Sequence, residues 1–449
     1  MTRKEFPKIV APSINLSNPN EDVELPIKEF KLLIGDDTLD ANGSLMFTWM
    51  PYPSIRVKAK VKAEDMVGKL FNSSYQFELL IADNKFGQGL ISDLGVDLSK
   101  GKESYILVGE ITSSALFQDI SKSVQTVYFS VPNLKEYFGD VVSIESLNSG
   151  HRNRVSLENK EYSIIIDKIP KYKENLKKLK MHGGYQILYG GKIQSKNGII
   201  THENLHKLLL PFNTFLSFIN GRRTAGLFLK GYESEEERWV DYTPYEVDYY
   251  KHVFSWSPKH PDKSLNTLWQ RFYKYWDHEN DKGFLRTVIH WYNEANMNSG
   301  RVEGAIIMAQ TALELIYNRW IVEKLNICGK VNALDKIRLI LHQIGISYEV
   351  PISLESLAEY VSNENDIKDG PDAIVRIRNA IVHSRLVKRK ALANITPRIR
   401  FEALELSLWY IELALLAYLQ YEGEYNNRCS EINNKIQVAE ELPWNNKMS

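Results

Sequence analysis

Hydrophobic and polar residues change rhythm once along the chain. Up to about residue 255 the apolar positions come in short runs rich in Val, Ile, Phe and Tyr: Ile55–Val61, Gln76–Ile81, Tyr105–Ile111, Val124–Val131 and Tyr162–Ile169. Side chains alternate across a strand, and such residues suit a pleated, half-buried surface, so each run predicts a β-strand. Turn signals punctuate them, among them Asn42-Gly43 and Leu147–Gly150. Many strands of this length predict an antiparallel sandwich or barrel-like sheet rather than a parallel βαβ fold, and a sandwich-like arrangement is the expectation carried forward.

Lys171–Lys180 predicts a short exposed helix, Tyr185–Leu188 a further strand, and a helix opens near Thr201. In it Leu205, Leu208, Leu209, Phe212, Phe215 and Leu216 recur at three-and-four spacing; Pro211 should bend it and Gly221 end it. From Ser264 onward the period is helical throughout. Predicted helices cover Val302–Leu325, Val331–Ile344, Ser353–Val361, Pro371–Val387 and Thr396–Tyr421, after two shorter stripes from Leu265 and Phe284. The expected organisation is therefore α+β: a β-rich domain over 1–255, an all-α bundle over 264–430 and a tail over 431–449.

Composition narrows the classes. Forty-three per cent apolar residues can build real cores. With 56 basic and 56 acidic residues the formal charge is zero, which argues against a protein that coats duplex DNA. Cys328 and Cys429 have no second Cys or His at zinc-ligand spacing; no zinc spacing, P-loop or nucleophile elbow, and so no metal and no cofactor, are expected. No apolar run approaches a membrane span, and the sparse cysteines suit a reduced, cytoplasmic setting.

One helix carries chemistry. After Gly370-Pro371 the chain reads Asp-Ala-Ile-Val-Arg-Ile-Arg-Asn-Ala-Ile-Val-His-Ser-Arg385. On a helical wheel Ile374, Ile377 and Ile381 form a core stripe, which leaves Asn379 and His383 on the opposite side and Arg378 at the margin. RNA carries its own nucleophile, the 2′-hydroxyl. Its cleavage needs a proton carrier of near-neutral pKa, for which histidine is suited, and a fixed cation for the phosphate, for which arginine is suited. Arg378 and His383 diverge by about 140° around one helix, so paired copies of the helix about a two-fold axis would best pool them.

Arg378-Asn-Ala-Ile-Val-His383 resembles the Arg-φ-x3-His signature of HEPN domains, including the preferred Asn after the Arg. Glu303–Glu314 and Glu402–Glu412 are similar to other HEPN helices. Phe215–Arg223, with Gly231 and Trp239, resembles the end of the N-terminal domain of ApeA-type bacterial defence proteins. The resemblance implies a metal-independent endoribonuclease that leaves a cyclic phosphate, acts as a homodimer or higher homo-oligomer, and arrests translation in anti-phage defence. It makes Arg378, Asn379 and His383 the catalytic set, with RNA, tRNA among the candidates, as substrate and a phage-derived trigger at the N-terminal domain. The alternatives are a non-catalytic dimeric binding module and a toxin silenced by a partner.

Other residues are weighed beside these. Glu314 is a candidate support that would pair with Arg378. Arg376, Arg385, Lys388 and Arg389 are candidate RNA contacts, with Lys390 beside them; a favourable basic helix end is the plain alternative. Arg222-Arg223 reads as a basic turn before a phosphate contact, and His290 with Trp291 as an aromatic helix stripe before a base-stacking surface.

Overall fold

The computed structural model describes residues 6–62, 75–97, 104–144, 149–261, 263–327, 329–383, 395–430 and 439–444. Two units emerge: residues 1–136, 140–213 and 224–250 form the first, and 137–139, 214–223 and 251–449 the second.

The first unit opens with seven strands: β1 (Val23–Glu24), β2 (Glu29–Ile34), β3 (Asp37–Thr48), β4 (Ser54–Lys62), β5 (Gln76–Ile81), β6 (Asn84–Asp97) and β7 (Ser104–Ile111). Their order is β1-β3-β2-β5-β6-β7-β4, and β3 also pairs with β4. That last pairing closes a six-stranded antiparallel barrel, so the expected sandwich is overturned.

Two long strands make the closure. The first half of β3 pairs with β2 (Asp37 opposite Ile34) and its second half with β4 (Thr48 opposite Ser54). β6 likewise serves β5 through Asn84–Leu90 and β7 through Gly89–Asp97, with a register shift between Ile91 and Asp93. Strands that turn a barrel corner bend at glycines and bulges. Gly43 lies in the middle of β3, where a Cβ would stand 1.8 Å from the Lys58 carbonyl oxygen. Asn42-Gly43 thus lies inside a strand, where the backbone of β4 approaches closely, and is not a turn. Along β4, Ile55, Val57, Ala59 and Val61 point into the barrel and the basic residues between them point out.

An eight-stranded antiparallel sheet follows: β8 (Leu116–Gln118), β9 (Thr126–Pro132), β10 (Asp140–Ile144), β11 (Ser149–Glu158), β12 (Tyr162–Lys168), β13 (Ile187–Ser195), β14 (Leu227–Glu233) and β15 (Glu236–Asp241). Its order is β10-β11-β12-β13-β9-β14-β15-β8. Ile187, Leu227, Phe228 and Val240 join the barrel core in one apolar cluster. Helix α1 (Tyr172–His182) buries Tyr172 and Leu179 and exposes its lysines. Helix α2 (His202–Asn220) contains Pro211 and ends where Gly221 takes φ +73°.

The second unit holds α3 (Ser264–Trp276), α4 (Glu279–Asn296), α5 (Arg301–Ile316, continued by a π-helical stretch Tyr317–Lys324), α6 (Ala333–Gln343), α7 (Glu355–Asn363), α8 (Gly370–Val382) and α9 (Pro397–Tyr418). α9 is buried around most of its circumference and packs on α4, α5, α7 and α8, as a helix apolar on all sides must. Tyr425–Asn426 and Ala439–Glu440 form an antiparallel strand pair, β16 and β17. The expectation of an all-α HEPN bundle followed by a plain tail is therefore also corrected: strand lies on both sides of residue 430.

Candidate functional site

Helix α8 starts as its sequence requires. Asp369 caps it, its carboxylate accepting the Asp372 N–H at 2.9 Å, and Pro371 occupies the first turn. Ile374, Ile377 and Ala380 are buried; Ile381 is only half-buried, and Val375, expected beside the polar face, is buried too. Core contact then runs out. Val382 is 43% exposed, and the helix stops there, since a turn without buried apolar surface has little to hold it. The part of the predicted helix from Ser384 to Val387 lies outside the described residues.

His383 caps α8 in extended conformation, its N–H still donating to the Asn379 carbonyl at 3.1 Å. It has left the helix, so the wheel angle to Arg378 no longer sets where its ring points. The ring is exposed. Arg378 and Asn379 are half-buried neighbours, with Arg378 Nη1 donating to Asn379 Oδ1 at 3.1 Å. Arg378 Nε is buried without a hydrogen-bond partner, and no carboxylate pairs with this guanidinium among the described residues.

The expected supports go elsewhere. Glu314 is exposed on α5 and pairs with Lys336, not with Arg378, because its position on the helix faces α6. Arg376 is engaged by Asp372 at 3.3 Å and by the Asp366 carbonyl, so it is not a free RNA contact. Arg385, Lys388, Arg389 and Lys390 lie outside the described residues. Arg222 is buried and donates to the Lys251 carbonyl, and Arg223 pairs with Glu294 at 2.7 Å; both are structural. His290 is exposed with its ring edge-on to Trp291, while Tyr292 is wholly buried.

A second constellation went unread. His202 and His206, one turn apart at the start of α2, both face Asp241 at the end of β15. Trp239, two residues earlier on that strand, packs edge-on to the His202 ring at 5.5 Å. Asp241 is fully buried; burial alone would push its carboxyl up, but the two imidazoles and Thr243 outweigh it and hold it well below the usual carboxylate range. Burial and the same carboxylate push the nearby Tyr245 phenol up. The signal was present as His202-Glu-Asn-Leu-His206, which has the H-E-x-x-H spacing of helical zinc ligands. The His202–His206 spacing corrects the expectation that the chain carries no zinc-ligand spacing.

Residues 119–253 match the family model described as the YopA central domain, and residues 278–440 that of the YopA C-terminal domain. Both descriptions name YopA domains, not HEPN or ApeA. The chain is 28% identical over 449 residues, 95% of each chain, to the SPbeta prophage-derived uncharacterized protein YopA of Bacillus subtilis (strain 168). No solved structure matches it. Among the described residues no helix is long and apolar enough to cross a membrane.

Proposed function

We propose that this protein is a metal-independent endoribonuclease of the cytoplasm, in which paired copies of α8 present Arg378, Asn379 and His383 to an RNA backbone. The observation that carries the reading is the state of Arg378. It is a half-buried guanidinium with an unsatisfied Nε and no carboxylate partner among the described residues, beside an exposed imidazole on the same helix end. A partly buried guanidinium whose Nε lacks an acceptor is a place where an oxyanion such as phosphate supplies both the hydrogen bond and the counter-charge.

In the reaction the 2′-oxygen attacks phosphorus while one His383 takes its proton. The bond from phosphorus to the 5′-oxygen breaks, and the 5′-oxygen takes a proton from the partner's His383, leaving a 2′,3′-cyclic phosphate and a 5′-hydroxyl. Arg378 holds the phosphoryl oxygens as charge builds on them, and Asn379 holds Arg378. The Arg-x4-His chemistry is kept from the HEPN resemblance; the all-α bundle is not. A prophage-derived relative suits a role in excluding competing phage by halting translation.

The test is incubation of the pure protein with total RNA in EDTA, with product ends analysed. Cleavage that leaves cyclic phosphate and disappears in Arg378→Ala and His383→Ala supports the enzyme. A folded, dimeric protein that leaves RNA intact makes it a binding module instead.

A further inference from the structure

The corner between α2 and β15 in the first unit is not used by this reading. Asp241 Oδ2 stands 3.5 Å from His202 Nε2 and 3.3 Å from His206 Nε2, and the donor atoms of all three residues lie within 4.8 Å of one another. These distances decide between two explanations. A charge-assisted N–H···O bond to a carboxylate spans about 2.7–2.9 Å, and both contacts exceed it. Two ligands on a tetrahedral zinc ion, each about 2.0–2.1 Å from the metal, stand about 3.3 Å apart. The two sides that meet at Asp241 Oδ2 have the dimensions of a ligand set.

The surroundings agree. His202 Nε2 is buried with no hydrogen-bond partner, a cost that a bound cation removes. Asp241 Oδ1 is taken by the Thr243 N–H at 2.8 Å, which orients the carboxylate so that Oδ2 faces the imidazoles. Such outer hydrogen bonds are how metal-binding carboxylates are held. The Tyr245 hydroxyl adds a polar wall, 3.4 Å from His206 Nδ1 and 3.5 Å from Asp241 Oδ2.

We propose that His202, His206 and Asp241 bind one divalent transition-metal ion, with water completing a tetrahedral shell. Two imidazoles and one carboxylate are a donor set suited to zinc. Glu203 is no ligand: its side chain is 78% exposed and pairs with Lys207 at 2.7 Å. The site rests on residues of the first unit alone, so its failure and that of the RNA reading are separate.

The full-length protein, stripped with EDTA and dialysed, is titrated with Zn²⁺ by calorimetry and with Co²⁺ followed by visible absorption. The expected result is one ion per chain, a tetrahedral Co²⁺ spectrum, and affinity at least about tenfold weaker in His202→Gln and His206→Gln. Glu203→Gln should bind like the parent. Because a change beside a buried carboxylate can unfold the unit, the parent alone also provides a test: Zn²⁺ should protect His206 from diethyl pyrocarbonate, read by mass spectrometry. Folded parent protein that takes up no zinc, equal labelling with and without zinc, or folded His variants that bind like the parent would each overturn the site.

Discussion

Two arginines of the second unit stand in opposite situations. The Arg428 side chain is buried and saturated: Nε donates to Glu412 Oε2 at 2.9 Å, Nη1 to Glu405 at 3.1 Å and Nη2 to Asn296 Oδ1 at 3.0 Å, with the Phe254 ring centred 4.6 Å from its guanidinium carbon. Tyr292 donates to the same Glu412 at 2.7 Å. Among the described residues Arg378 has a single side-chain acceptor, the neutral amide of Asn379, and it lies on the last turns of α8. The same functional group is a structural clamp where carboxylates neutralise it and a candidate anion holder where they do not. The counter-charge, not the residue type, decides the role.

The largest effect expected on this contrast is at the clamp. Arg428→Ala leaves the buried Glu412 without a counter-charge and should cost the second unit about 3–5 kcal/mol, measured by denaturant unfolding. Next come the open-face residues. His383→Ala should lower RNA cleavage about 10²–10⁴-fold and Arg378→Ala about 10²–10³-fold, while Arg378→Ala changes stability by about 1 kcal/mol or less. If Arg378→Ala instead unfolds the protein as Arg428→Ala does, the contrast is lost.

A smaller effect separates a third charged cluster from both. Burial pushes the Asp281 carboxyl up, but Tyr418, Arg319 and Lys324 outweigh it and hold its pKa below the ordinary value. A carboxyl so depressed contributes stability above its unfolded pKa of about 3.9, and loses it as pH falls through the folded pKa. The second unit should therefore weaken below about pH 4, and Asp281→Asn should be less stable at pH 7 with a shallower acid limb between pH 4 and 2. The smallest effect belongs to Glu314. Paired with Lys336 in an exposed position, it should leave RNA cleavage unchanged as Glu314→Gln; a marked loss would place it beside Arg378 after all.

What could be read in advance had local causes. Gln76–Ile81 is a strand with the bounds its pattern predicts, and Ile55–Val61 lies inside β4 with strict alternation. Asp369-Gly-Pro starts α8, and Gly221 ends α2. The candidate site was legible as residue types on one helix, but its geometry was not. Where α8 stops depends on burial beyond Ile381, and His383 falls at its C-cap in extended backbone, where a helical wheel no longer applies.

The sequence alone determined most segments: the run of strands before about residue 255, the helices between Ser264 and about residue 420, the start of the helix bearing Arg378 and Asn379, and the His202–His206 spacing. Each rests on propensity, capping or periodicity acting over a few residues. Only the tertiary structure decided that β4 pairs with the distant β7 within a closed barrel, that Glu314 turns to Lys336, and that Asp241, 35 positions beyond His206, completes a triangle with two histidines. Those outcomes depend on contacts between distant segments, whose energy is realised only when the whole unit packs, and no short window of sequence contains them.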